Sequence, residues 1–151
     1  MKKKLCTAMA GITLVLSLSA CGTDPAVTQF KNDLNTFCES VAELNDSINH
    51  IDADAENAPA LAMDYLDKLD KSFQDFAEMD FPEDYDYLEP LADEAGAYMT
   101  EAVKNYHLAY EGETYDSSTA AYARENSARA FKRVQVILNV LQGNVSSGDA
   151  E

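Results

Sequence analysis

Eight apolar residues, Val27, Phe30, Leu34, Phe37, Val41, Leu44, Ile48 and Ile51, follow one another at alternating intervals of three and four. No other feature constrains the fold of this chain so strongly. The intervals average close to one helical turn each, so a helix places all eight side chains on one face. Pro25 suits the first turn of that helix, and the polar run after Ile51 ends it. Cys38 falls beside the stripe and His50 falls away from it. A helix with one apolar stripe needs partners to cover it.

Three further helical patterns supply them. The second begins near Asn57, a good capping residue, with Pro59 in its first turn. Its stripe is Ala62, Leu66, Leu69, Phe73 and Phe76, and it must stop before Pro82. The third is expected from about Tyr87, with Pro90 tolerated in the first turn and Gly112 as its stop. Its face reads Leu88, Leu91, Ala95, Tyr98, Ala102, Tyr106 and Ala109. Asp116 caps a fourth helix with the stripe Ala120, Ala123, Ser127, Ala130, Val134, Ile137 and Leu141, closed by Gly143. The small first half of that stripe leaves room for bulky partners, and Tyr98, Tyr106 and Tyr110 are the candidates. No strand pattern, phosphate-binding glycine loop or internal repeat occurs. The expected fold is all-α, an antiparallel up-down-up-down four-helix bundle over residues 26–143 with a flexible tail at 144–151.

The N-terminus fixes an address. Lys2, Lys3 and Lys4 precede a short apolar run from Ala8 to Leu18, which is the layout of a secretory signal and too short for a permanent membrane span. Leu18-Ser19-Ala20-Cys21 closes it. A cysteine directly after Leu-Ser-Ala resembles the lipobox of bacterial lipoproteins. The resemblance covers the first 22 residues and implies cleavage between Ala20 and Cys21, with diacylglyceryl modification of the Cys21 thiol. Residues 1–20 are then the signal peptide, and residues 21–25 are the lipidated cysteine with a short tether. Two acyl chains give stable anchoring where one does not. The residue after Cys21 is Gly22 rather than the Asp that marks inner-membrane retention in Gram-negative lipoproteins. The style of the signal leans towards a Gram-positive bacterium.

Removal of the signal leaves 131 residues, enough for one domain. Of 11 basic residues, the three signal lysines leave, so 8 remain against 27 acidic ones and the mature net charge is −19. Such a surface repels nucleic acid and anionic head groups and leaves cations and basic partners as candidates. With Cys6 gone and Cys21 acylated, Cys38 stands alone, so the mature chain forms no internal disulfide.

The expected order places the 52–57 and 111–116 loops at the pole far from the membrane. His50 and His107 lie near the ends of the first and third helices at that pole. With Asp52, Asp54 and Glu111 they offer imidazole and carboxylate ligands for a divalent cation. Diagonal placement of those helices, and the absence of Glu-x-x-His spacing, weigh against a di-iron type site. Tyr106, Tyr110 and Tyr115 form a second candidate, a patch for a ligand or partner. Residues 75–94 carry nine acids and no Lys or Arg, which reads as a solvated negative loop. Arg124, Arg129, Lys132 and Arg133 make the basic stretch of the fourth helix and read as intramolecular charge partners. No nucleophile motif or cofactor fingerprint is present. The sequence therefore points to a non-enzymatic lipoprotein at the extracytoplasmic face of the membrane. It binds an unidentified protein or small molecule and needs no cofactor; the alternative is a divalent-cation-binding lipoprotein.

Overall fold

The computed structural model describes residues 24–111 and 114–143. The signal segment, the cleavage site at Ala20 and Cys21, the stop at Gly112 and the 144–151 tail lie outside them. The described residues form four α-helices and one short 3-10 helix, with no strand among them.

Helix α1 spans Pro25–Asn49. The Asp24 carboxylate accepts the Ala26 N–H at 2.8 Å, and Pro25 occupies the first turn, where its missing N–H costs nothing. Phe30, Leu34, Phe37, Val41 and Ile48 of the stripe are buried, while Val27 and Leu44 are half-buried. Ile51 departs from expectation. The helix has already ended at Asn49, and Ile51 sits half-buried in the following loop.

Helix α2, Ala58–Ala77, buries its whole expected stripe, Ala62, Leu66, Leu69, Phe73 and Phe76. Asn57 precedes it but makes no side-chain cap. Its φ of −91° and ψ of 3° differ from the extended backbone that aims a capping side chain at the first turn. The turn is instead closed by backbone, with Ala58 N–H donating to Ala55 O at 3.1 Å.

Pro82, extended at ψ 152°, leads into the 3-10 helix Glu83–Leu88, and helix α3 follows directly over Glu89–Glu111. The single stripe expected for α3 is too narrow. Ala92, Met99 and Val103 are buried with Leu91, Ala95, Ala102 and Ala109, while Tyr98 and Tyr106 move to its half-buried edge. The cause is that α3 packs against two helices at once, α2 and α4. Its more extensive contact is with α4, the helix spanning Ser117–Leu141.

Tyr106, whose hydroxyl reaches Ser127, and Tyr98, under Arg129, pack at the edge of that seam against the small half of α4, while alanines on both sides of it let the two helices pack closely. Gly96 does the same against α2. A Cβ there would stand 3.1 Å from the Ala77 Cβ and 3.4 Å from the Phe73 carbonyl. Helix α4 begins at the expected cap, with Asp116 accepting from Ser118 N–H at 2.9 Å and Thr119 N–H at 3.2 Å. It is followed by Gly143 at φ 71°, a conformation that costs glycine little.

Aromatic rings join the helices at the centre. Phe37 stacks on Phe76 at 4.4 Å and meets Phe73 edge-on at 5.3 Å. Phe73 meets Phe131 edge-on at 5.4 Å, which carries the contact from α2 to α4. Burying one such ring is worth about 1.5–3 kcal/mol.

Contacts between successive helices run in opposite numerical senses. Ser40 meets Ser72 at 3.3 Å and Phe30 meets Phe81, beyond the end of α2, at 4.8 Å. His107 meets Asp67, Thr100 meets Asp70 and Gly96 meets Gln74. Arg133 meets Glu94, and Arg129 lies over Tyr98 at 5.8 Å.

Candidate binding groove

The last turns of α1, the loop after it and the first turns of α2 enclose a surface groove of about 480 Å³. Ile51, Ala55, Leu61 and Tyr65 supply its apolar lining, and Asp46, His50, Asp52 and Asn57 supply polar groups. Local structure sets each of them. Because α1 stops at Asn49, Ile51 turns into the loop instead of extending the core stripe. Asp52 closes an Asx turn by accepting the Asp54 N–H at 3.0 Å. His50 folds back on its own helix, its Nδ1 at 2.8 Å from Asp46 O and 3.2 Å from the Asp46 carboxylate. No basic residue occupies the last turn of α1, so acids surround the end of the helix where the dipole is already negative.

His107 stands apart from His50. Its Nε2 is 2.7 Å from Asp67 Oδ1 on α2, and its Nδ1 is 3.1 Å from Glu111 Oε1 one turn further along α3. With a carboxylate at each ring nitrogen the imidazolium is favoured. The Asp67 hydrogen bond is the chief cause that lifts the His107 pKa above its ordinary 6.5. The five residues considered for a cation thus divide between two helix ends. His50, Asp52 and Asp54 lie at the end of α1, and His107 and Glu111 lie at the end of α3. Each histidine has its own carboxylate partner. Among the described residues no group of three or more His, Cys, Asp or Glu side chains is arranged to hold a metal ion.

The tyrosines do converge. The Tyr110 and Tyr115 rings are 5.0 Å apart, and Tyr106 lies beside them, all three half-buried. Burial, then Tyr115, pushes the Tyr110 phenol up to about 12, and burial also raises Tyr106. Neutral phenols packed on one another give an edge cluster with hydroxyls for hydrogen bonding and no charge near neutral pH.

Cys38 is buried, and desolvation lifts its thiol to about 11, so it stays a protonated, inert part of the core. The acids of 75–94 are partly engaged at its ends, Asp75 with Lys71 at 2.8 Å and Glu94 with Arg133 at 2.5 Å. Arg129 pairs with Glu125 at 2.6 Å, so two of the four basic residues of α4 are in intramolecular pairs.

Sequence reasoning missed Asp46, Leu61, Tyr65 and Asp67. The four-residue interval between Asp46 and His50 was a usable signal. Asp67 pairs with a histidine 40 residues away, and nothing local marks it. No helix among the described residues is long and apolar enough to cross a membrane. No family model matches the chain, and neither a curated protein nor a solved structure matches it.

Proposed function

We propose that the chain is a lipid-anchored envelope protein, held at the extracytoplasmic face of the membrane through diacylglyceryl-modified Cys21. Its acidic helical domain is a non-enzymatic binder of a partner or ligand. The observation that carries this reading is the cysteine directly after Leu18-Ser19-Ala20, at the end of a short apolar run led by three lysines. The net charge supports the binding half of it, because 27 acids against 8 mature basic residues favour cationic partners.

In the same reading the helices run up-down-up-down and antiparallel. The opposed numerical sense of the contacts between successive helices supports that order. A tether only a few residues long then points α1 away from the membrane, and the α1–α2 and α3–α4 connections meet the outside. The groove at the end of α1 and the Tyr106, Tyr110 and Tyr115 cluster share that pole.

Fractionation of cells expressing the native gene tests the anchor. The protein is expected to sediment with membranes, and Cys21→Ser is expected to move it to the soluble or secreted fraction. Equal distribution of both forms would overturn the anchored reading.

A further inference from the structure

We propose that the groove at the end of α1 is a docking site for a basic, apolar segment of a partner protein. This rests on the reading of the domain as a binder of cationic partners. The groove, at about 480 Å³, lies in the size range of small-ligand sites, room for a short segment of chain rather than a folded surface.

Its chemistry is two-part. Ile51, Leu61 and Tyr65 offer apolar surface, while Asp46 and Asp52 offer carboxylates beside it. A lysine or arginine suits both, laying its aliphatic stem on the apolar residues and carrying its charge to the carboxylates. The electrostatics of the free protein leave room for such a charge. The negative end of α1 has no basic residue in its last turn, and Asp46 and Asp52 add to the negative field there. His50 is the groove's own basic group, and it is engaged with Asp46. The Lys68 ammonium stands 5.4 Å from the Tyr65 ring centroid, a distance at which an aromatic face favours a cation. Lys68 itself is held by Asp64 at 2.7 Å.

A bare metal ion would leave the apolar residues unused, and the described residues arrange no metal cluster. A linear polyamine would supply charge but no branched or aromatic side chain for Ile51 and Leu61. The occupant that uses every part of the groove is a protein segment alternating basic and apolar residues.

Titration of the isotopically labelled mature protein with the peptide acetyl-Lys-Leu-Lys-Leu-amide, followed by amide chemical shifts, tests this. Shifts are expected at Ile51, Leu61 and Tyr65, with a Kd on the order of 1 mM or tighter. The Glu-Leu-Glu-Leu peptide should give none. Asp46→Asn with Asp52→Asn should weaken binding about fivefold or more, since two exposed charge pairs are lost. Both changes keep side-chain shape, and circular dichroism checks that the helices remain. Asp33→Asn with Asp75→Asn, the same charge change at the separate groove lined by Phe37 and Met79, should leave the Kd within about twofold.

Equal loss in both double variants, or spermidine binding as tightly as the peptide, would overturn the assignment. Peptide-induced shifts confined to another part of the domain would sink the groove and leave the acidic binder standing. Absence of binding by the basic peptide anywhere would remove both.

Discussion

Phe73→Ala tests how the aromatic core holds three helices together. Phe73 is fully buried and meets Phe37 of α1 and Phe131 of α4 edge-on, at 5.3 and 5.4 Å. Truncation removes the transfer free energy of the ring and leaves a cavity at the meeting point of three helices, a loss of about 3–5 kcal/mol. The two edge-on pairs, at about 0.5–1.5 kcal/mol each, lie within that figure and favour its upper half.

A domain of this size has about 5–15 kcal/mol in total, so the variant should fold with little margin. Urea unfolding followed by helical circular dichroism measures the loss. With a slope of about 1–3 kcal/mol per molar, the midpoint should fall by roughly 2 M. Phe81→Ala is the comparison, because Phe81 is only half-buried at the edge of the same cluster and should cost clearly less. A Phe73→Ala loss under about 1 kcal/mol, or one no larger than that of Phe81→Ala, would refute the reasoning.

Three further outcomes follow from single groups. Asn45 is buried on α1, and its Oδ1 has no hydrogen-bond partner among the described residues. Asn45→Leu should therefore raise stability by about 1 kcal/mol in the same urea assay, and a fall would show that the amide is satisfied in solution. Hydrogen bonds from Ser118 and Thr119 lower the Asp116 pKa from 3.8 to about 2, so its contribution is present above 3.8 and lost as pH falls towards 2. Asp116→Ala should abolish that component of the acid unfolding curve and lower the thermal midpoint. His107 is shifted the other way. Its contribution is full below 6.5 and lost as pH rises through its elevated folded pKa. Asp67→Asn should bring the His107 midpoint, read from its imidazole proton resonances, back towards 6.5; an unchanged midpoint would remove Asp67 as the cause.

Periodicity made most of the fold legible, because helices α1, α2 and α4 each bury essentially one stripe. Helix α3 was legible only in part. A helix with neighbours on two sides buries more than a stripe, and Met99 and Val103 look in sequence like ordinary off-face apolar residues. Asp116 caps its helix as its position in the sequence leads one to expect, Asp24 caps α1 although sequence reasoning missed it, and the backbone at Asn57 decides against a side-chain cap that composition alone favours. The candidate site was less legible still. Tyr106, Tyr110 and Tyr115 come together because a helical turn and a short connection bring them close. Tyr65 and Leu61 reach the groove only because α1 ends two residues before Ile51, a boundary that the stripe itself does not mark.

Mass spectrometry of the protein extracted from its native membrane tests the central claim, that this helical domain hangs from a lipidated cysteine. A mature chain starting at Cys21 and carrying a diacylglyceryl group is the expected result. A chain that retains residues 1–20, or that bears a free thiol at position 21, would contradict it.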